Sequence, residues 1–120
     1  LAHYQQKLSG PLLDRIDLHV QVMSQALDLF DETSAAPETS SVVAKRVLTA
    51  QALQFQRQQK HNQQLNPQEL VQFCHLAPAC RQLLIKASAR LQLSARSQHR
   101  AIRVARTIAD LQSEDNINTQ

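Results

Sequence analysis

The sequence predicts a mostly α-helical fold, a small helical bundle preceded by a strand and a linker, and three observations lead to this prediction. Gln, Ala, Leu and Arg, which are good helix formers, dominate the 120 residues. The single glycine leaves little material for the tight turns of β-hairpins. Aromatic residues make up 3% of the chain and Trp is absent, so the core must be aliphatic.

Residues 1–38 are predicted to be a region separate from the bundle. Residues 1–7 have the pattern of a helix end, and Gly10-Pro11 stops that helix. Residues 16–22 alternate between apolar and polar side chains, which is typical of a strand. A lone strand is not stable, so we expect its sheet to lie outside this chain. Residues 24–38 carry acids, Ser, Thr and a Pro, which favours a linker whose order without a core the sequence leaves open.

Residues 39–120 are predicted to form a helical domain of four helices. Thr39 or Ser40 can cap a long first helix that reaches about Lys60. Its expected inner stripe consists of Ala44, Val47, Leu48, Gln51 and Phe55. Pro67 can open a short second helix through Phe73.

The third and fourth helices carry the clearest periodic patterns. In the third, apolar or small residues recur at helical spacing, namely Cys80, Leu83, Leu84, Ala87 and Leu91. Ser94 is expected to cap the fourth helix, which runs from Ala95 to about Leu111. Its expected inner face consists of Ile102, Ala105, Ile108 and Ala109, while Arg96, Arg100 and Arg103 form an outer stripe.

Charge and cysteine usage narrow the function classes. Seven Lys and Arg residues face one acid between Arg81 and Asp110. Such a basic face attracts a phosphate-bearing partner, but on charge alone a solvated helix face is favoured. Cys74 and Cys80 lack further ligands at zinc spacing, so we expect small buried side chains and no metal site. No signal peptide or membrane-length apolar run is visible, which favours a cytoplasmic protein without membrane contact.

Two segments resemble a known family. "SGPLLDRIDLHV" (residues 9–20) and "LSARSQHRAIRVARTIADL" (residues 93–111) resemble the C-terminal part of magnesium-chelatase-like AAA+ ATPases. The residues of these two segments are most similar to the bacterial ComM/YifB group, which is related to the chelatase ATPase subunit and to the MCM helicases. The resemblance covers about residues 4–111. It implies that residues 1–38 end an AAA+ core and that residues 39–120 form its helical lid.

The resemblance gives Arg15 a catalytic role as an arginine finger. In such proteins this arginine reaches the γ-phosphate bound by the neighbouring subunit. Arg suits the task because its planar guanidinium is always charged and offers several donors to phosphate oxygens. Fingers of this kind contribute about 10³ to 10⁵ in rate. From the residues alone, an ion pair of Arg15 with Asp14 or Asp17 is the favoured interpretation.

The resemblance also gives Arg96 the sensor-2 role, in which a lid arginine contacts the β- or γ-phosphate. Arg100 and Arg103 follow along the same stripe as candidate subunit-interface or nucleotide contacts, with a solvated face as the default interpretation. Of the two, Arg100 is the second expected nucleotide contact. In the MCM relatives this arginine acts on a neighbour's nucleotide, and whether Arg96 acts on its own subunit's nucleotide or a neighbour's stays open here.

The chain departs from an intact ATPase in two respects. A single glycine rules out the phosphate-binding loop GxxxxGK[ST], and the acidic metal-binding motif is absent too. We therefore expect no ATP hydrolysis by this chain alone, with ATP and Mg²⁺ held by an upstream core. The resemblance implies a homo-oligomeric ring, a hexamer, whose subunits act on DNA as a branch-migration helicase in natural transformation.

Two other function classes compete with this hypothesis. The last two helices could form a helix-turn-helix that reads DNA, although Gln98 is nearly the only base reader on the second of them. A DNA reader would bind tightly with a steep salt dependence, and a lid would bind weakly. A free-standing enzyme using Asp14, Asp17 and His19 is disfavoured, because no nucleophile or metal set accompanies them.

Overall fold

The computed structural model describes residues 16–22 and 37–119. The chain divides into two units, Leu1–Pro37 and Glu38–Gln120, and the second contains the helices described here. These are α1 (Ser40–Gln58), α2 (Pro67–Phe73), α3 (Pro78–Leu91) and α4 (Ala95–Leu111), with a 3-10 turn at Asn62–Gln64 between α1 and α2. The prediction of a mostly helical small bundle is therefore confirmed.

The strand predicted over residues 16–22 is not formed among the described residues. These residues belong to no strand, and their side chains are exposed. A strand is stabilised by a partner strand, and the described residues contain no β-ladder that includes this segment. Alternation of Ile16, Leu18, Val20 and Val22 with polar residues therefore is not sufficient for a strand here. The predicted helix end at residues 1–7 and most of the predicted linker lie outside the described residues.

Local side-chain chemistry explains where the helices begin. Asn66 and Glu69 form a reciprocal capping box around Pro67, the first residue of α2. The Ser94 hydroxyl accepts a hydrogen bond from the backbone N–H of Ser97 at 3.1 Å and so caps α4. Thr39 occupies the N-cap position of α1, but its hydroxyl bonds to the Ser41 hydroxyl and caps no backbone N–H.

The helix ends reflect the scarcity of glycine. Gln59 after α1 and Gln92 after α3 both adopt the left-handed conformation, with φ of 57° and 50°. Glycine normally takes this position because a Cβ atom there costs roughly 1–2 kcal/mol. Each of these two helices therefore ends in a sharp turn at a glutamine whose left-handed backbone conformation is energetically unfavourable.

The apolar core is small and lies between α2, α4 and the C-terminal segment. Its buried members are Leu65, Leu70, Cys74, Ala109 and Ile117. Ile117 pairs with Leu76 in an isolated parallel bridge and is 4% exposed. The polar sequence around Ile117 gives little indication that this segment folds back and contributes to the core.

Two predicted inner stripes are not the buried ones. The stripe predicted on α1 is exposed at all five positions, and Ala50, Gln54 and Gln58 are buried instead. On α3 only Cys80 is buried, while Leu83 and Leu91 are 57% and 64% exposed. The reason is that α1 packs on α4 through polar side chains, and α3 borders an open apolar groove of about 310 Å³.

Candidate nucleotide-contact site

The predicted arginine finger, Arg15, lies outside the described residues, so its role stays a prediction. The other predicted site residues, Arg96 and Arg100, both lie in the N-terminal half of α4. Arg96 is exposed and Arg100 is partly buried. They are separated by about one helical turn, so a single elongated anion could contact both.

The start of α4 concentrates positive charge. No acidic residue occurs in its first turn, where Arg96 follows the cap residue Ser94 by two positions. The unsatisfied N–H groups of a helix N-terminus already carry a partial positive charge. Among the described residues, no ion-pair partner of Arg96 is present. A phosphate bound here would relieve the repulsion between the guanidinium and the helix dipole.

The C-terminal half of α4 turns its arginines inward. Arg103 donates from Nε and Nη2 to the carbonyl oxygen of Leu65, at 3.1 and 2.7 Å. The predicted outer stripe therefore splits, because Arg103 is occupied by a structural contact. Arg106, which the sequence did not mark as a site residue, is 1% exposed.

A buried polar network centres on Asp110, which is 1% exposed. Arg57 donates to both carboxylate oxygens, at 2.7 and 2.9 Å, and Asn62 donates to one of them at 2.8 Å. Arg106 donates to the same carboxylate at 3.1 Å and also to the carbonyl oxygens of Glu114 and Asp115. The network thus joins α1, the 3-10 turn, α4 and the segment that follows α4.

The Asp110 carboxyl is held in its ionised form. Burial by itself would raise its pKa, but the hydrogen bonds from Arg57 and Asn62 and the charge of Arg106 outweigh this effect. The pKa of Asp110 is therefore lowered from its ordinary value of 3.8. Two guanidinium groups thus share one carboxylate, and their hydrogen bonds join α4 to α1.

Sequence reasoning missed this network because its members are distant along the chain. Arg57 and Asp110 are 53 residues apart. One local signal was available, since Arg106 and Asp110 stand four residues apart and Asp110 is the one acid within the last two helices. That spacing is common on exposed helix faces, so it does not by itself indicate burial.

The cysteines, a metal site and a membrane-spanning helix are the other features on which the sequence bears. Both cysteines are buried free thiols, and burial raises the pKa of Cys74. Within residues 16–22 and 37–119, no group of three His, Cys, Asp or Glu side chains could hold a metal ion. Across the same ranges, no helix has the length and apolar character needed to cross a membrane.

Comparison with known proteins identifies the family. The family "Magnesium chelatase, subunit ChlI C-terminal" matches residues 37–120, and "Magnesium chelatase, subunit ChlI" matches residues 1–29. The competence protein ComM of Haemophilus influenzae is 39% identical over 117 residues, which are 98% of this chain and 23% of that protein. The uncharacterized protein YifB of Escherichia coli is 38% identical over the same shares.

The chain spans about a quarter of the length of these relatives, 23% in each case. The match to the C-terminal family covers the four helices and the segment after them. This chain belongs to the magnesium-chelatase family, within its ComM/YifB group.

Proposed function

We propose that this chain is the C-terminal lid segment of a longer, ring-forming AAA+ ATPase, in which Arg96 contacts the bound nucleotide. The observation that carries this proposal is the exposed Arg96 in the acid-free first turn of α4. It lies inside a domain that matches the ChlI C-terminal family along its length. ATP and Mg²⁺ would be held by an upstream core, and Arg96 would neutralise charge on the β- or γ-phosphate.

The fold supports a mechanical role for this contact. A force on Arg96 acts along α4, whose other end is tied to α1 and to the following segment through Asp110. The buried network ties α1, α4 and the following segment together. When the γ-phosphate is lost, these elements would therefore move away from the nucleotide as one unit. Arg100, one turn further along α4, would supply a second and weaker contact to the same nucleotide.

Arg15 completes the proposed mechanism as the finger that reaches a neighbouring subunit. The proposal thus requires a homo-oligomeric ring, which the resemblance describes as a hexamer. The match of residues 1–29 to the ChlI subunit supports placing Arg15 in the ATPase part. In phosphoryl transfer, a finger stabilises charge that develops on the transferred group, and its removal costs about 10³-fold or more.

DNA is the proposed substrate of the ring, on the resemblance to the ComM/YifB group, and the implied activity is branch migration. One relative bears the name competence protein, which agrees with a role in natural transformation. The engagement of Arg103 and Arg106 inside the domain favours a lid over a helix-turn-helix reader, because a recognition helix keeps its side chains free for the groove.

A mixing experiment on the full-length protein tests the ring and the finger together. One preparation carries Arg15→Ala and the other a disabled nucleotide-binding loop, and each alone is expected to lose ATPase activity. After subunit exchange has been verified with labelled subunits, mixing should restore hydrolysis, since the intact Arg15 of one subunit completes the intact site of its neighbour. Failure to recover activity despite exchange would remove Arg15 from this role.

A further inference from the structure

The chain contains an unusually long stretch without acidic residues. Residues 70–109 hold no Asp or Glu, but they hold seven cations, namely Arg81, Lys86, Arg90, Arg96, Arg100, Arg103 and Arg106. Arg103 and Arg106 are used inside the domain, and Arg100 is partly buried. Four exposed cations therefore remain, and three of them belong to α3.

Two of these cations share the outer face of α3. Lys86 and Arg90 are four residues apart, which places them about 40° apart around the helix and about 6 Å apart along it. Among the described residues, neither has an ion-pair partner. Ala79, Gln82 and Ala89 are exposed on the same side. The opposite side contains the buried Cys80 and the partly buried Leu84 and Ala87.

We propose that this outer face of α3 binds the phosphate backbone of nucleic acid, through Lys86 and Arg90. The small and polar residues beside the two cations allow a nucleic-acid backbone to approach the helix closely. The cations are one helical turn apart, a spacing that suits the closely spaced phosphate charges of nucleic acid. The proposal rests on the DNA substrate given under the proposed function and deepens it, because it assigns part of the DNA contact to the outer face of α3. This contact is separate from the nucleotide contact of Arg96 and needs no ATP.

The composition of the face favours nucleic acid over an acidic protein. Protein interfaces centre on buried apolar and aromatic side chains. On α3 the bulky apolar side chains Leu83 and Ile85 lie at the two edges of the face and not in its middle. The middle contains charge, amide and methyl groups, which contact phosphate without requiring a complementary apolar surface. Binding of this kind is independent of base sequence and moderate in affinity.

The test is a salt titration with the 120-residue chain and a short fluorescein-labelled DNA duplex, followed by fluorescence anisotropy without nucleotide. Between about 0.05 and 0.2 M salt, each phosphate contact contributes about 0.9 to the slope of log affinity against log salt. The double variant Lys86→Gln/Arg90→Gln is expected to lower that slope by about two and the affinity at 0.1 M salt by about 50-fold.

The control is Lys45→Gln/Arg46→Gln on α1, which also removes one exposed Lys and one exposed Arg. It is matched in charge and exposure, while Arg46, unlike Lys86 and Arg90 within the described part of the chain, is paired with an acid, Glu38. This control should leave slope and affinity within about twofold of the parent chain, and unlabelled polyglutamate should compete poorly. The proposal is overturned if the parent chain does not bind at low salt, if both double variants lose binding equally, or if polyglutamate competes as well as DNA. Circular dichroism of every variant verifies the helical fold. Because no step needs ATP, the outcome is independent of the test of Arg15.

Discussion

The two halves of α4 use arginine for opposite purposes. In the N-terminal half, Arg96 is exposed in a turn that contains no acid. In the C-terminal half, Arg106 is 1% exposed and bonded to Asp110 and to two backbone carbonyls. The same residue type on the same helix is thus available to a ligand at one end and structural at the other. The difference arises from the groups opposite each arginine, which the helix itself does not determine.

The largest expected effect comes from removing the carboxylate that makes the C-terminal half structural. Asp110→Ala leaves the buried Arg106 and the partly buried Arg57 without their counter-charge. Breaking a buried ion pair in this way costs about 3–5 kcal/mol. Urea unfolding followed by circular dichroism measures the change in the free energy of unfolding of the chain.

The control for this substitution is Glu38→Ala, which removes the acid from the exposed pair between Arg46 and Glu38. An exposed pair contributes about 1 kcal/mol or less, so this variant should unfold almost as the parent does. Equal losses in the two variants would mean that the Asp110 network is no more important than a surface contact.

A smaller effect is expected from protonating the same carboxylate. Its folded-state pKa lies below the ordinary value of 3.8, so the ionised form favours folding. This stability is complete above that ordinary value and is lost as pH falls through the lower, folded-state pKa. Asp110→Asn lacks this contribution, so its unfolding free energy should be lower near neutral pH and should approach that of the parent in acid. Unfolding curves at several pH values would contradict this if the gap between the two proteins stayed constant.

The sequence predicted well the features that depend on neighbouring residues. α2 starts at Pro67 and α4 starts after Ser94. In each case the cap residue bonds to a residue three positions further along the chain, so the signal is local. The buried side of α1 was missed because Gln54 and Gln58 are buried by polar contacts with the 3-10 turn, and these contacts carry no apolar periodicity. Residues 16–22 show the opposite failure, a clear local period that forms no strand among the described residues.

The nucleotide contact expected of Arg96 rests on the resemblance and stays a prediction. Composition indicated an affinity for phosphate, but nothing in the residues alone separated Arg96 from Arg103. The structure separates them, because Arg103 reaches the carbonyl oxygen of Leu65, a residue 38 positions away. Such a contact depends on how α4 packs against the segment before α2. The periodic pattern of a single helix carries no information about that packing.

The smallest expected effect on stability belongs to Arg96, and Arg103 in the same helix is its matched comparison. Arg103→Ala removes both donors from the carbonyl of Leu65, a residue that is 1% exposed, which should cost about 1–2 kcal/mol in the free energy of unfolding. Arg96→Ala should change it by less than about 0.5 kcal/mol. It removes a cation from the positive end of the helix dipole, so any small change should be stabilising.

In the full-length protein, however, Arg96→Ala should weaken nucleotide binding or hydrolysis, measured with a fluorescent ATP analogue and by phosphate release. A stability loss equal to that of Arg103→Ala with unchanged nucleotide binding would mean that both halves of α4 are structural.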